Sequence, residues 1–225
     1  MMHQLISKKI IIYLLLFCFL VSINNISLMN FNFPKINKIE IIGLNLDERK
    51  KIESIINDAN FKNIFHIDKQ YLKKKIDSIN IIEHFEIFKN YPSTLKIFVK
   101  ETKILAQTKK NSSNYLIGSN GKLILNDYSS SSLPFVFGDL NVEEFLNFKN
   151  EVDKSNFDFK KIIKLYYFKS KRWDIETSEG YLIKLSRNDV KKDLNLFVRL
   201  SNEDKFKNEI VIDFRQKDQI ILDGK

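Results

Sequence analysis

From Ile10 to Pro34 the chain carries no charged side chain, and Lys8 and Lys9 stand directly before that stretch. A hydrocarbon core of about 30 Å is crossed by about 20 helical residues, and Ile10 to Met29 has that length. Ile10 to Val21 is strongly apolar, while Asn24 and Asn25 weaken the far end. The expectation is a transmembrane helix over 10–30, with Ile10, Leu15, Phe19, Ile23 and Met29 in the span, after a cytoplasmic tail of residues 1–9. A cleaved secretory signal is the rival reading, but Ser22 and Ser27 do not supply the small-residue pair that cleavage requires. Lys8 and Lys9 abut the run on one side, against Lys35 and Lys38 on the other, so the positive-inside rule favours a cytoplasmic N-terminus.

The net charge of +9, from 37 Lys and Arg against 28 Asp and Glu, would ordinarily suggest nucleic acid or an anionic membrane as a partner. The excess is almost entirely lysine, scattered among acids as in Lys73, Lys74 and Lys75 beside Asp68, Asp77 and Glu83. A solvated lysine-rich surface accounts for it, and no nucleic-acid partner is expected. The single cysteine, Cys18, excludes an internal disulfide and a thiolate metal cluster within one chain. His3, His66 and His84 have no partner at metal-ligand spacing. None of the usual nucleophile, phosphate-loop, zinc-protease or dinucleotide motifs occurs. Glu143 and Glu144 suit the start of a helix, where the dipole favours negative charge. Arg172 and Trp173 are a candidate recognition patch, although tryptophan more often belongs to the core. The residues thus point to no catalytic group, metal, cofactor or small-molecule substrate.

At Ile36 the pattern changes to alternation, with Ile39 and Ile41 on one face, Lys38 and Glu40 on the other, and Gly43 closing a strand. Asp47 is the expected cap of a helix whose stripe is Ile52, Ile55, Ile56 and Ala59. Asp68 is the expected cap of a second helix carrying Leu72, Ile76 and Ile79. Two extended segments follow, Ile81 to Phe88 and Leu95 to Glu101, joined through Asn90, Tyr91, Pro92 and Ser93. In the second, Leu95, Ile97 and Val99 face inward, and Lys96, Phe98 and Lys100 outward. Glu83 and Glu86 are candidate guards of the first segment's edge. The order is βααββ. A domain of about 65 residues buries only about 60% of its unfolded surface, so it should lean on a neighbour.

Three pieces of this unit carry a resemblance: Lys38-Ile39-Glu40-Ile41-Ile42-Gly43, Asn63-Ile64-Phe65-His66-Ile67-Asp68, and the segment from Tyr91 to Glu101. Their order and spacing resemble the POTRA domain, here 34–102, in which a strand ends in glycine, Phe-x-Ile-Asp opens the second helix and a Pro-x-x-Leu-x-Ile-x-Val-x-Glu strand closes the fold.

Residues 103–225 read as a β-rich domain with at least two helices. Thr102 to Gln107 continues as strand, and Tyr115 to Ile124 is a hairpin turning at Asn120-Gly121. Leu133 to Gly138 is extended, and Phe145, Phe148 and Val152 mark a helix. A strand near Ile162 to Phe168 precedes a hairpin from Trp173 to Leu185 that turns at Glu179-Gly180. Val190, Leu194, Phe197 and Val198 mark the last helix, before short strands at Ile210 to Phe214 and Ile220 to Leu222.

The Ile117 to Ile124 hairpin, the Leu133 to Gly138 strand, the hairpin from Trp173 and the terminal Ile212-Asp213-Phe214-Arg215 resemble the β domain of the FtsQ/DivIB cell-division family. The overall class is α+β, with an N-terminal transmembrane helix. The resemblance implies a non-enzymatic divisome scaffold in the bacterial inner membrane, single-pass, with its bulk periplasmic, acting at the septum. Its implied partners are small bitopic division proteins resembling FtsB and FtsL, linking early to late septum assembly. Arg215, Gln216, Ile220, Ile221 and Leu222 are the candidate partner-binding residues. Gln216 departs from the aromatic that this family usually carries there. The rivals are an envelope transport or chaperone module, disfavoured for want of POTRA repeats or barrel strands, and a cell-wall enzyme, which lacks a catalytic constellation.

Overall fold

The computed structural model describes residues 7–23, 34–61, 63–126, 132–203, 209–216 and 219–224. Its first element, helix α1 (Lys8–Ile23), is 16 residues long, apolar and exposed along its length. That is shorter than the expected span of 10–30, and among the described residues no helix is long and apolar enough to cross a membrane. Ile10, Leu15, Phe19 and Ile23 lie on α1, whereas Met29 and the paired asparagines fall outside the described residues.

The POTRA-like unit comprises β1 (Lys38–Ile42), α2 (Leu46–Asp58), α3 (Lys69–Asp77), β2 (Ile82–Asn90) and β3 (Thr94–Glu101). Its sheet has the order β1-β3-β2, with β1 parallel and β2 antiparallel to the central strand. The helices cover one face, and Ile41, Ile52, Ile56, Leu72, Ile76, Leu95 and Ile97 form the core. The cap of α2 is Asn45, whose side chain accepts from the Glu48 amide at 3.0 Å. Asp47 sits inside the first turn, where its charge suits the dipole although its side chain does not cap the helix. Asp68 caps α3 as expected, accepting from Gln70 N at 2.8 Å and Tyr71 N at 3.1 Å. Gly43 adopts φ +100°, and a Cβ there would collide with the Val99 carbonyl oxygen, so only glycine closes β1 against β3.

The second domain is a nine-stranded sheet in the order β12-β11-β10-β9-β8-β7-β4-β5-β6. Its strands are β4 (Ile104–Lys110), β5 (Ser113–Gly118), β6 (Leu123–Leu125), β7 (Phe135–Phe137), β8 (Ile162–Tyr167), β9 (Trp173–Thr177), β10 (Leu182–Lys184), β11 (Glu209–Asp213) and β12 (Ile221–Gly224). Helix α4 (Val142–Asp153) connects parallel neighbours β7 and β8, and α5 (Val190–Ser201) connects parallel neighbours β10 and β11. Both pack on one face, where Phe145, Phe148, Leu194 and Phe197 meet Val136, Leu165, Ile175, Ile183 and Ile212. Trp173 lies in this core, stacked on Phe148 at 4.6 Å, which settles the tryptophan as packing rather than a recognition patch.

The β5–β6 turn clips the two domains together. Asn120 Nδ2 donates to the carbonyls of Asn80 (2.8 Å) and Ile82 (2.9 Å), and its backbone N–H donates to Thr102 Oγ1 at 3.1 Å. Its Oδ1 accepts from Lys122 N at 3.1 Å, so the amide is locked in one orientation. Ser119 Oγ donates to the Glu83 carboxylate at 3.0 Å; that bond first, and Lys100 after it, hold the Glu83 carboxyl below the usual range. Glu83 therefore joins the domains rather than merely guarding the β2 edge. Asn80 Nδ2 in turn donates to the Leu123 carbonyl at 2.7 Å, on the outer side of β6.

Two outcomes follow from this packing. Ile97→Asp, at a fully buried position, should cost several kcal/mol and melt the POTRA-like unit. Lys96→Asp, whose side chain pairs with Glu40 at 3.1 Å on the opposite face of the strand, should shift the melting temperature far less, and equal melting of the two variants would overturn the register. Asn120→Ala removes two hydrogen bonds between domains, each worth about 0.5–1.5 kcal/mol net. Amide exchange at residues 80–83 and 119–123 should accelerate while the two cores stay protected; unchanged exchange there would show that the clip carries no load.

Candidate partner-binding edge

A β-sheet that does not close has two ends, each a row of unpaired N–H and C=O groups. At one end of the nine-stranded sheet, Asn80 reaches the outward carbonyl of β6. At the other end, β12 pairs only with β11, and among the described residues no strand adds beyond it. Its first two side chains are apolar and open, with Ile221 48% and Leu222 37% exposed, and Asp223 follows them. The β2 edge of the POTRA-like unit differs, because a register irregularity between Ile82 and His84 and the polar pair His84 and Glu86 interrupt it.

The register shows which β12 groups point outward. Phe214 N donates to Lys184 O at 2.8 Å, so residues 212 and 214 direct their backbone toward β10, and Val211 and Asp213 direct theirs toward β12. Asp213 faces Ile221, Ile212 faces Leu222 and Val211 faces Asp223. Ile221 and Asp223 thus spend their backbone groups inside the hairpin. Leu222 presents its N–H and C=O to the outside.

The approach to β12 is built by buried ion chemistry. Asp213 accepts from Arg215 N at 2.9 Å and from Nε at 2.8 Å, and Nη2 also contacts it. Burial pushes the Asp213 carboxyl up, but the Arg215 hydrogen bonds outweigh that and hold it below the usual range. Arg215 is thereby fixed in its own turn, and its pKa is raised chiefly by the same bond. Across the open face, Asp174, Lys184 and Asp213 stand opposite one another on β9, β10 and β11. Burial raises the Asp174 carboxyl, with Arg172 and Arg215 offsetting it in part. Beneath the turn, Asp193 on α5 accepts from Ser186 N at 2.8 Å and Ser186 Oγ at 2.6 Å, and burial raises its carboxyl as well.

Arg215, Gln216 and Ile220 line a groove of about 410 Å³ between α5 and the β11–β12 turn, together with Asp189, Lys192 and Asp193. Ile221 and Leu222 lie beyond it along the edge. The structure therefore brings the sequence-expected residues into one region but divides them between a groove and a strand. Ile212 and Phe214 are buried in the core, as alternation requires; the side chain of Ile210 is outside the described positions. Sequence reasoning missed Asp174, which stands opposite Lys184 on the neighbouring strand, and the bonds of Asp193 to Ser186; these placements leave no local periodic mark. Among the described residues, no group of three His, Cys, Asp or Glu is placed to hold a metal.

A POTRA-like unit clipped to a helix-backed sheet whose far edge is open defines a two-domain POTRA and β-domain protein. The family profile of the FtsQ-type POTRA domain matches residues 35–102, and that of the C-terminal region of cell division protein FtsQ/DivIB matches residues 106–215. The chain belongs to the FtsQ/DivIB family of cell division proteins. Cell division protein DivIB of Bacillus subtilis is 22% identical over 191 residues, covering 81% of this chain and 72% of that protein. DivIB of Clostridium botulinum is 34% identical over 120 residues, 52% of this chain and 44% of that protein. A solved structure, the major extracytoplasmic domain of the trans isomer of DivIB from Geobacillus stearothermophilus, is 12% identical with a TM-score of 0.35, the match covering 45% of this chain and 92% of that one. Ile220, Ile221 and Leu222 lie just past the segment that the C-terminal profile matches.

The Asp213 carboxyl is depressed in the folded state, so its stabilisation is fully present above the unfolded value of about 3.9 and is lost as pH falls through the lower folded value. Asp213→Asn should therefore be less stable than the parent at neutral pH. In a pH series of denaturant midpoints the gap should close only on acidification below about 3.9. A gap independent of pH would mean that packing, not the ion pair, holds the turn.

Proposed function

We propose that this chain is a non-enzymatic scaffold of the bacterial division machinery, anchored in the inner membrane by the apolar segment that includes α1, with its N-terminus cytoplasmic and its two domains outside. The β12 edge captures an extended segment of a small bitopic division protein, resembling FtsB or FtsL, as an added strand. The groove beside Arg215 and Gln216 receives the residues that flank that strand. The observation that carries this reading is the open apolar edge at Leu222, at the end of the sheet away from the POTRA-like unit. Main-chain hydrogen bonds supply affinity in strand addition, and alternate side chains supply specificity. Family membership supports the division role, and the uncharged stretch after Lys8 and Lys9 supports the anchor.

The test uses proline, which removes one N–H and fixes φ. Leu222→Pro deletes an outward donor, Leu222→Ala keeps it, and Ile221→Pro removes a bond inside the hairpin. In co-purification of the full chain with its small bitopic division partners from membranes, Leu222→Pro should lose capture and Leu222→Ala retain most of it. Ile221→Pro should also destabilise the β11–β12 hairpin. Full capture by a folded Leu222→Pro chain would place the interface elsewhere, with the β2 edge of the POTRA-like unit next in line.

A further inference from the structure

One end of the POTRA-like unit carries exposed aromatic and basic side chains that neither the core nor the partner edge uses. The β2–β3 turn lies where the chain enters the domain, because Asn37 N donates to Ser93 O at 3.0 Å. In that turn Tyr91 is 61% exposed, and Phe65, 49% exposed, stacks on it with ring centroids 4.9 Å apart. Lys35 is exposed at the entry, and Lys89 brings its ammonium to the Ile67 carbonyl at 3.4 Å. Lys38 and Lys96 share the Glu40 carboxylate, at 2.6 and 3.1 Å, so that cluster keeps a net positive charge. The nearby acid Asp68 is committed to the α3 amides. Residues 24–33 alone separate Ile23, the last residue of α1, from Pro34, and ten residues span at most about 35 Å.

We propose that this end of the domain, with the Phe65 and Tyr91 rings at its tip and Lys35, Lys38 and Lys89 around them, rests on the anionic phospholipid surface of the membrane. The inference depends on the anchored reading of α1. A tyrosine ring settles at the level of lipid headgroups, with an apolar body in the interface and its hydroxyl in water, and the Phe65 ring stacked on Tyr91 adds apolar area beside it. Lysines beside them meet the negative surface potential within a Debye length, about 10 Å at 0.1 M salt. The contact orients the POTRA-like unit with its entry end down, and so points the β domain, joined at the opposite end of β3, away from the bilayer.

The experiment reconstitutes the full chain carrying Phe65→Trp into vesicles of phosphatidylcholine alone or mixed with phosphatidylglycerol, with acyl chains brominated near the headgroup. Flotation with both vesicle types tests the anchor by itself. Failure to float overturns the anchor, and this inference with it. Given flotation, the added tryptophan should lose emission to brominated lipid in the phosphatidylglycerol vesicles, less in phosphatidylcholine alone, and less again in 1 M salt. Trp173 is buried and supplies the constant background, measured in the parent chain. Leu46→Trp, at a 70% exposed position beyond the opposite end of β1, should show no such loss. Equal emission of Phe65→Trp with and without bromine, or equal quenching in both lipid compositions, overturns the proposal while leaving the anchor standing. Phe65→Trp with Lys35→Glu and Lys89→Glu should lose the quenching and still float; retained quenching would likewise count against it.

Discussion

The Leu123 carbonyl faces out of the sheet, and the Asn80 side chain meets it. Much of the arrangement depends on that bond and its reciprocal, the Asn120 amide reaching the Asn80 and Ile82 carbonyls. The exchange satisfies one outward carbonyl at the β6 edge and two carbonyls of the POTRA-like unit, and it ties a small domain to a larger one at the point where β3 runs into β4. A unit of this size has little core to spare, so the shared contacts offset part of its deficit. They also make the sheet asymmetric: its β6 end meets the POTRA-like unit, and among the described residues no strand adds beyond β12.

That asymmetry gives the terminal edge its meaning. An open apolar strand is an aggregation hazard unless it is short, guarded or used. Here β12 has four residues, and its neighbour β11 is pinned by Asp213 and Arg215 at the turn. Depressed and raised carboxyls occur in the same region: Asp213 is satisfied by Arg215, while Asp174, across Lys184, and Asp193, on α5, are raised by burial. The turn is held by charges partly withdrawn from water, so its geometry persists without a partner present.

Much of this was legible in the sequence wherever the signal was local. The stripes of α2, α3, α4 and α5 and the hairpins at Gly121 and Gly180 were marked by short-range period and turn chemistry, and both glycines have positive φ. What could not be read was pairing at a distance. The parallel contacts of β4 with β7 and of β10 with β11 are decided by crossovers and packing, not by any motif. Asn120 was legible as a turn residue, but its side-chain bonds to the other domain were not. The α2 cap is Asn45 and not Asp47: both are good cap types, and only the chain path selects between them. The candidate site was visible as a cluster of residues, whereas which amide faces outward required the register.

The parallel pairing of β11 with β10 also has a consequence for synthesis. Every other strand of the large sheet precedes β11 and β12 in the chain. A protein emerging N-terminus first completes β4 through β10 before the last hairpin exists, and β11 can settle only once α5 has crossed back to lie beside β10. The β12 edge thus forms after the rest of the sheet, and a chain truncated before β11 would lack it.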